Sequence, residues 1–124
     1  MNPSSNLRRE GLIRTTVEPA LVTALYDELR RFFLDTKADD KAGLGEIRPT
    51  HLAGYACTDL REQLEVRLDS AGRVQPSLPN NLEDAVLSVW KALDTVCKDQ
   101  LAAVATGLGA VSQEVLSGLC EALP

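Results

Sequence analysis

Aromatic side chains are scarce: two Phe, two Tyr and one Trp make up 4% of the chain. Rings supply much of the contact area in ligand pockets and stack against bases, so their scarcity argues against a large cofactor site or single-stranded nucleic-acid binding. Histidine is rarer still, with His51 the only one. Three cysteines, Cys57, Cys97 and Cys120, are odd in number and far apart, with no C-x-x-C pair. That pattern suggests neither a disulfide framework nor a zinc site, and reduced thiols in a cytoplasmic compartment are the expectation. No apolar run approaches the roughly 20 residues that span a bilayer, and "MNPSSNLRREG" lacks the apolar stretch of a secretory signal. No membrane partner is expected.

Basic charge is also short. Thirteen Lys and Arg against 18 Asp and Glu leave a formal charge of −5 and a pI near 4.8. Attraction to phosphate backbones or anionic lipid needs a basic face, so no nucleic-acid partner is expected. The one local basic cluster, "LRREGLIR" at residues 7–14, reads as a solvated N-terminal stretch. What remains, 44% hydrophobic and 25% charged over 124 residues, suits one soluble domain with an ordinary core. Residues 1–10 read as a flexible lead-in and 11–124 as the domain.

Periodicity organises that domain. "GLIRTT" is a short run with strand character. Pro19 suits the first helical turn and Glu18 the positive helix end. Leu21, Val22, Leu25, Leu29, Phe32 and Phe33 then share one face of a helix over about 19–34. "DTKADDKAGLGEIRPT" is a connection with room for one helical turn at "KADDKAGL". Gly54 and Tyr55 form a tight passage. Beyond it Leu64, Val66 and Leu68 alternate with Glu65 and Arg67 as in a half-buried strand, although Leu60, Leu64 and Leu68 also fit a helical turn or two. "DSAGRVQPSLPNN" has loop composition, with Asn80 or Asn81 placed to cap the next helix.

Leu82, Val86, Val89, Leu93, Val96, Cys97, Leu101, Val104 and Leu108 recur at three and four and predict a helix over about 82–108, stopped by Gly107 or Gly109. A short helix from about Ser112 to Leu123 follows. The predicted class is therefore α+β and mainly helical, with two major helices, a short C-terminal helix and one or two short strands.

Chemistry is hard to assemble from these residues. His51 and Cys57 are separated by a spacing that matches no recognised zinc-ligand pattern. Cys97 and Cys120 lie on apolar faces, where burial and inertness are expected. Asp39 with Asp40 and Glu83 with Asp84 are neighbours in sequence and point apart, so neither pair can flank a substrate. The glycines of "GLGEIRP" and "TGLGAVS" form neither a dinucleotide fingerprint nor a P-loop. The long helix's apolar stripe can serve the domain's own core, helped by Ala92, Ala102, Ala103 and Ala105, or form a seam with a partner helix.

Taken in order, four stretches resemble the N-terminal region of the iron(II)/2-oxoglutarate-dependent dioxygenases of the isopenicillin N synthase-like group. "GLIRTTVEPALVTALYDELRRFFLDTKADDKAGLGE" resembles that region's strand, its helix ending in an "RRFF"-like motif and its acidic, lysine-containing segment. "HLAGY" resembles its Gly-Tyr turn, and "LREQLEVRL" the charged run and strand that follow. "PSLPNNLEDAVLSVWKALDTVCKDQLAAVATGLG" resembles the long helix that supports the catalytic barrel. The resemblance covers about residues 11–123.

It implies Fe(II) and 2-oxoglutarate for a full-length relative only. The family holds iron in a His-x-Asp plus distal His triad and binds 2-oxoglutarate with Arg-x-Ser, both in the jelly-roll that follows the long helix. Here His51 is followed by Leu52 and Ala53, "RVQPS" has the wrong spacing, and Thr15, Thr16 and Val17 replace an Asn-His-Gly turn. The expectation is thus a structural, substrate-shaping domain, existing as a fragment or truncated product and inactive alone. It has no catalytic, cofactor-binding or metal residues, and His51 and Tyr55 face a substrate cleft. Its expected partner is the missing catalytic barrel. A small helical interaction or self-associating module is the alternative.

Overall fold

The first long helix, α1, spans Pro19–Asp35 and opens with the proline in its first turn, where a missing N–H leaves nothing unpaired. The structure, a computed structural model, describes residues 9–108. After α1 come α2 (Ala38–Ala42), β1 (Gly54–Cys57), β2 (Glu62–Glu65), β3 (Arg67–Leu68), β4 (Val74–Gln75) and α3 (Asn80–Leu108). The class is small α+β, with two long helices and two antiparallel strand pairs, β1–β2 and β3–β4. The expected helix over 112–123, like Cys120, lies outside the described residues.

Among the described residues two compact units emerge, one of residues 19–89 and the other of residues 9–18 and 90–108. In the 19–89 unit, Phe32, Tyr55, Val74, Leu78 and Leu82 form the buried cluster, flanked by half-buried side chains that include Leu25, Leu29 and Phe33 of α1. The face read from the three-and-four spacing of α1 is the face that packs. Leu82 is 1% exposed, and burying a leucine so fully contributes about 1.5–3 kcal/mol. In the other unit, Ile13 and Thr15 line an apolar cavity of about 450 Å³ together with Val96, Leu101 and Val104 of α3.

Several local expectations change. "GLIRTT" forms no strand: Gly11 turns the chain with φ of 73°, and the run has no ladder partner among the described residues. The Leu60, Leu64 and Leu68 spacing is not a helical face. Leu60 is 96% exposed in a turn where the Thr58 hydroxyl accepts from the N–H groups of Leu60 and Arg61. That turn joins β1 to β2 in the register Tyr55 to Leu64 and Cys57 to Glu62. The alternating strand is present, broken at Val66 into β2 and β3.

The loop "DSAGRVQ" holds a second hairpin. One carboxylate oxygen of Asp69 accepts from the N–H groups of Ala71 and Arg73, both at 2.9 Å, and Gly72 takes φ of 78°. This closes the turn tightly enough for Arg67 to pair with Gln75 and Leu68 with Val74. Asn80 and Asn81 are the first two residues of α3 rather than its cap. The Pro79 carbonyl accepts the first helical bond, from Glu83 N–H at 2.9 Å, and so occupies the cap position. Gly107 is still helical, and Gly109 lies outside the described residues. Cys97 is exposed rather than buried, and Leu93 beside it is 47% exposed, so the stripe of α3 is only partly covered.

Candidate functional site

Gly54 and Tyr55, read as a turn, open strand β1. The tight passage is a close approach of two chain segments. Tyr55 N–H donates to the Gly45 carbonyl at 2.8 Å, and a Cβ on Gly54, whose φ is 153°, would lie 2.6 Å from that same oxygen. Only glycine fits there without displacing backbone. The turn proper comes earlier, at Arg48–His51, where two reciprocal backbone bonds of 2.9 and 3.0 Å close a hairpin-like bend around Pro49 and Thr50.

Tyr55 is buried, its ring edge-on to Phe32 with centroids 6.4 Å apart. Its hydroxyl donates to Glu62 Oε1 at 2.5 Å. The same oxygen receives the Lys41 ammonium, which also donates to the Phe33 carbonyl at 3.0 Å and lies 5.7 Å from the Tyr55 ring centroid. Lys41 is itself buried, so α1, α2, β1 and β2 are tied together through one ammonium group. The Lys41 ammonium, then the Tyr55 hydroxyl, hold the Glu62 carboxyl below the usual glutamate range. The bond to Glu62 and then burial push the Tyr55 phenol well above its ordinary value. The cluster is internally satisfied: each charge meets an opposite charge, which is the arrangement of a clamp.

His51 and Tyr55, expected to face one cleft, line different cavities. Tyr55 borders an opening of about 490 Å³ with Glu46, Ile47 and Cys57. His51 is exposed and borders a separate cavity of about 320 Å³, between its own turn and the β3–β4 hairpin, with Arg67, Asp69 and Gln75. There the first Asp69 oxygen serves the hairpin loop, while the second accepts from Gln75 at 3.3 Å. The Arg73 N–H bond above all holds the Asp69 carboxyl below the usual aspartate range.

Sequence reasoning missed Lys41, Glu62, Arg67 and Asp69. For Asp69 the signal was present: an aspartate three residues before a glycine, between strand-like runs, is a turn former. For Lys41 and Glu62 the contact is long-range and leaves no local pattern.

Among the described residues no three of His, Cys, Asp and Glu converge as metal ligands. The imidazole of His51 is exposed, and its cavity's carboxylate, Asp69, is committed to backbone N–H groups, so the residues described do not fit an iron centre. No helix of the described residues is long and apolar enough to cross a membrane. No family model, curated protein or solved structure matches the chain.

Proposed function

We propose that this chain is the N-terminal, substrate-shaping part of an iron(II)/2-oxoglutarate-dependent oxygenase of the isopenicillin N synthase-like group, with no catalytic activity of its own. The observation that carries the reading is the element order around Gly54–Tyr55. A helix ends near "RRFF", a short helix carries Lys41, the Gly-Tyr segment pairs as a strand with the charged run after it, and a helix of 29 residues follows. That order is the one the resemblance implies. In this reading α1, β1 and β2 form a wall beside the catalytic jelly-roll, and the Lys41–Glu62–Tyr55 clamp keeps the wall rigid. His51 faces substrate, while Tyr55, buried with its hydroxyl engaged, positions β1 instead of binding. Fe(II) and 2-oxoglutarate are held by the barrel. Free Cys57 and Cys97 suit a cytoplasmic setting.

Anaerobic equilibrium dialysis of the chain against Fe(II), with and without 2-oxoglutarate, tests the inactivity. The expected result is no stoichiometric iron and no succinate formed on admitting oxygen; one tightly held iron per chain would overturn it.

A second reading, a helical module that associates with a partner or a second copy, is favoured by α3, where Trp90 is 39% and Leu93 47% exposed. Large apolar side chains left in water on a helix favour association. Sedimentation at rising concentration separates the two, since a strict monomer with no apolar-dye binding removes the basis for this module.

A further inference from the structure

We propose that the cavity between the Arg48–His51 turn and the β3–β4 hairpin binds a small organic carboxylate that carries an apolar body. Two charged side chains line it, Arg67 and Asp69. Both oxygens of Asp69 accept hydrogen bonds from the hairpin, which offset part of its negative charge. Arg67 has no hydrogen-bond or ion-pair partner among the described residues, nor have the side chains of Thr50 and His51. A guanidinium, an imidazole and a hydroxyl thus border one cavity of about 320 Å³ with their donors free. Their complement is an acceptor-rich anion.

The form of that anion follows from the remaining walls and the charge. A single planar guanidinium fork matches a carboxylate in two parallel bonds. One guanidinium in the cavity, with the Asp69 carboxylate also in its lining, is poor provision for a phosphate dianion. Leu52, Ala53 and Leu68 supply apolar wall beside the donors, which a hydrocarbon body would cover. The donors stand on fixed backbone. His51 is held by the reciprocal bonds to Arg48, and Arg67 pairs across the hairpin with Gln75, whose turn is closed by Asp69. With the backbone already fixed, the ordering that binding requires falls on the side chains alone.

The site lies within the 19–89 unit and is independent of the oxygenase reading. Where that reading also holds, the cavity takes the acid end of the substrate.

Amide and side-chain NMR of the full chain, titrated with 3-methylbutanoate, its neutral amide and inorganic phosphate, tests the proposal. Expected are saturable shifts at residues 49–53 and 67–69 with the carboxylate, none with the amide, and weaker, non-saturating shifts with phosphate. Arg67→Gln weakens binding at least about tenfold, as loss of a charged hydrogen-bond partner does. His51→Gln weakens it less, and Arg30→Gln on α1 leaves it unchanged. Unaltered Asp69 and Arg73 amide shifts show that the hairpin survives each substitution. Equal shifts from the amide, stronger binding of phosphate, or carboxylate binding that persists in a folded Arg67→Gln variant would overturn it.

Discussion

Lys41 and Glu62, 21 residues apart in sequence, form a part-buried ion pair whose acceptor oxygen also takes the Tyr55 hydroxyl. Removing one partner leaves the other charge poorly compensated, while removing both need not be harmful. Lys41→Met is expected to lower the melting temperature, and Lys41→Met with Glu62→Leu and Tyr55→Phe to recover part of the loss. Thermal unfolding of the single and triple variants measures this directly.

Glu62 of this pair and the hairpin's Asp69 together set an acid limb. Glu62 and Asp69 both titrate below their ordinary ranges in the folded chain. Their contribution is therefore present above the unfolded carboxyl values of about 4 and is lost as pH falls through the lower folded ones. Urea midpoints should fall on acidification below about pH 4. In Lys41→Met the Glu62 carboxyl moves back up toward its ordinary range, which carbon-detected NMR titration of that side chain would show.

Tyr55 responds at the other end of the scale. Its phenol is held protonated by the bond to Glu62 and by burial, so the stability it contributes is fully present below the unfolded phenol value of about 10 and is lost as pH rises from there through the higher folded value. Ultraviolet absorbance titration should find this tyrosine ionising late, and Glu62→Leu should bring the ionisation down.

Gly54 tests the close approach of the backbone. A methyl group there meets the Gly45 carbonyl oxygen at 2.6 Å and two atoms of Glu46 at 3.0 Å. Gly54→Ala is expected to destabilise by more than about 1 kcal/mol, because the residue's backbone angle and its space are both unsuitable for a side chain. Gly45→Ala, where no atom lies within 4 Å of the added carbon, meets only the backbone cost of φ 94°. Urea denaturation of the two variants should rank Gly54→Ala as the more damaging.

Leu82, fully enclosed at the start of α3, tests the core. Leu82→Ala should cost about 2–5 kcal/mol. The same change at exposed Leu60 should cost almost nothing, and paired denaturation curves decide between them.

The long helices were legible because their apolar residues repeat at three and four over many turns, and Phe32 and Leu82 emerged on the packed faces the pattern marks. The β3–β4 hairpin was not, since strands of two residues carry no period and the surrounding Gly, Ser and Pro read as loop. Leu60 misled because its spacing to Leu64 and Leu68 is helical, yet the Thr58 hydroxyl stabilises a turn there instead. The two proposed cleft residues border separate cavities, and the Tyr55 hydroxyl is bonded to Glu62. A tyrosine followed by alanine and cysteine gives no local sign of which way its ring will face. Exposure of Cys97 was equally hidden, because an apolar stripe does not tell how much of itself will be covered.

The coding sequence 3′ of the Pro124 codon tests most directly the proposal that this chain is the N-terminal part of an iron(II)/2-oxoglutarate-dependent oxygenase. An in-frame His-x-Asp, a distal His and an Arg-x-Ser are the predicted result. A continuing reading frame that encodes an unrelated domain, or a stop codon with no such motifs in frame, would contradict it.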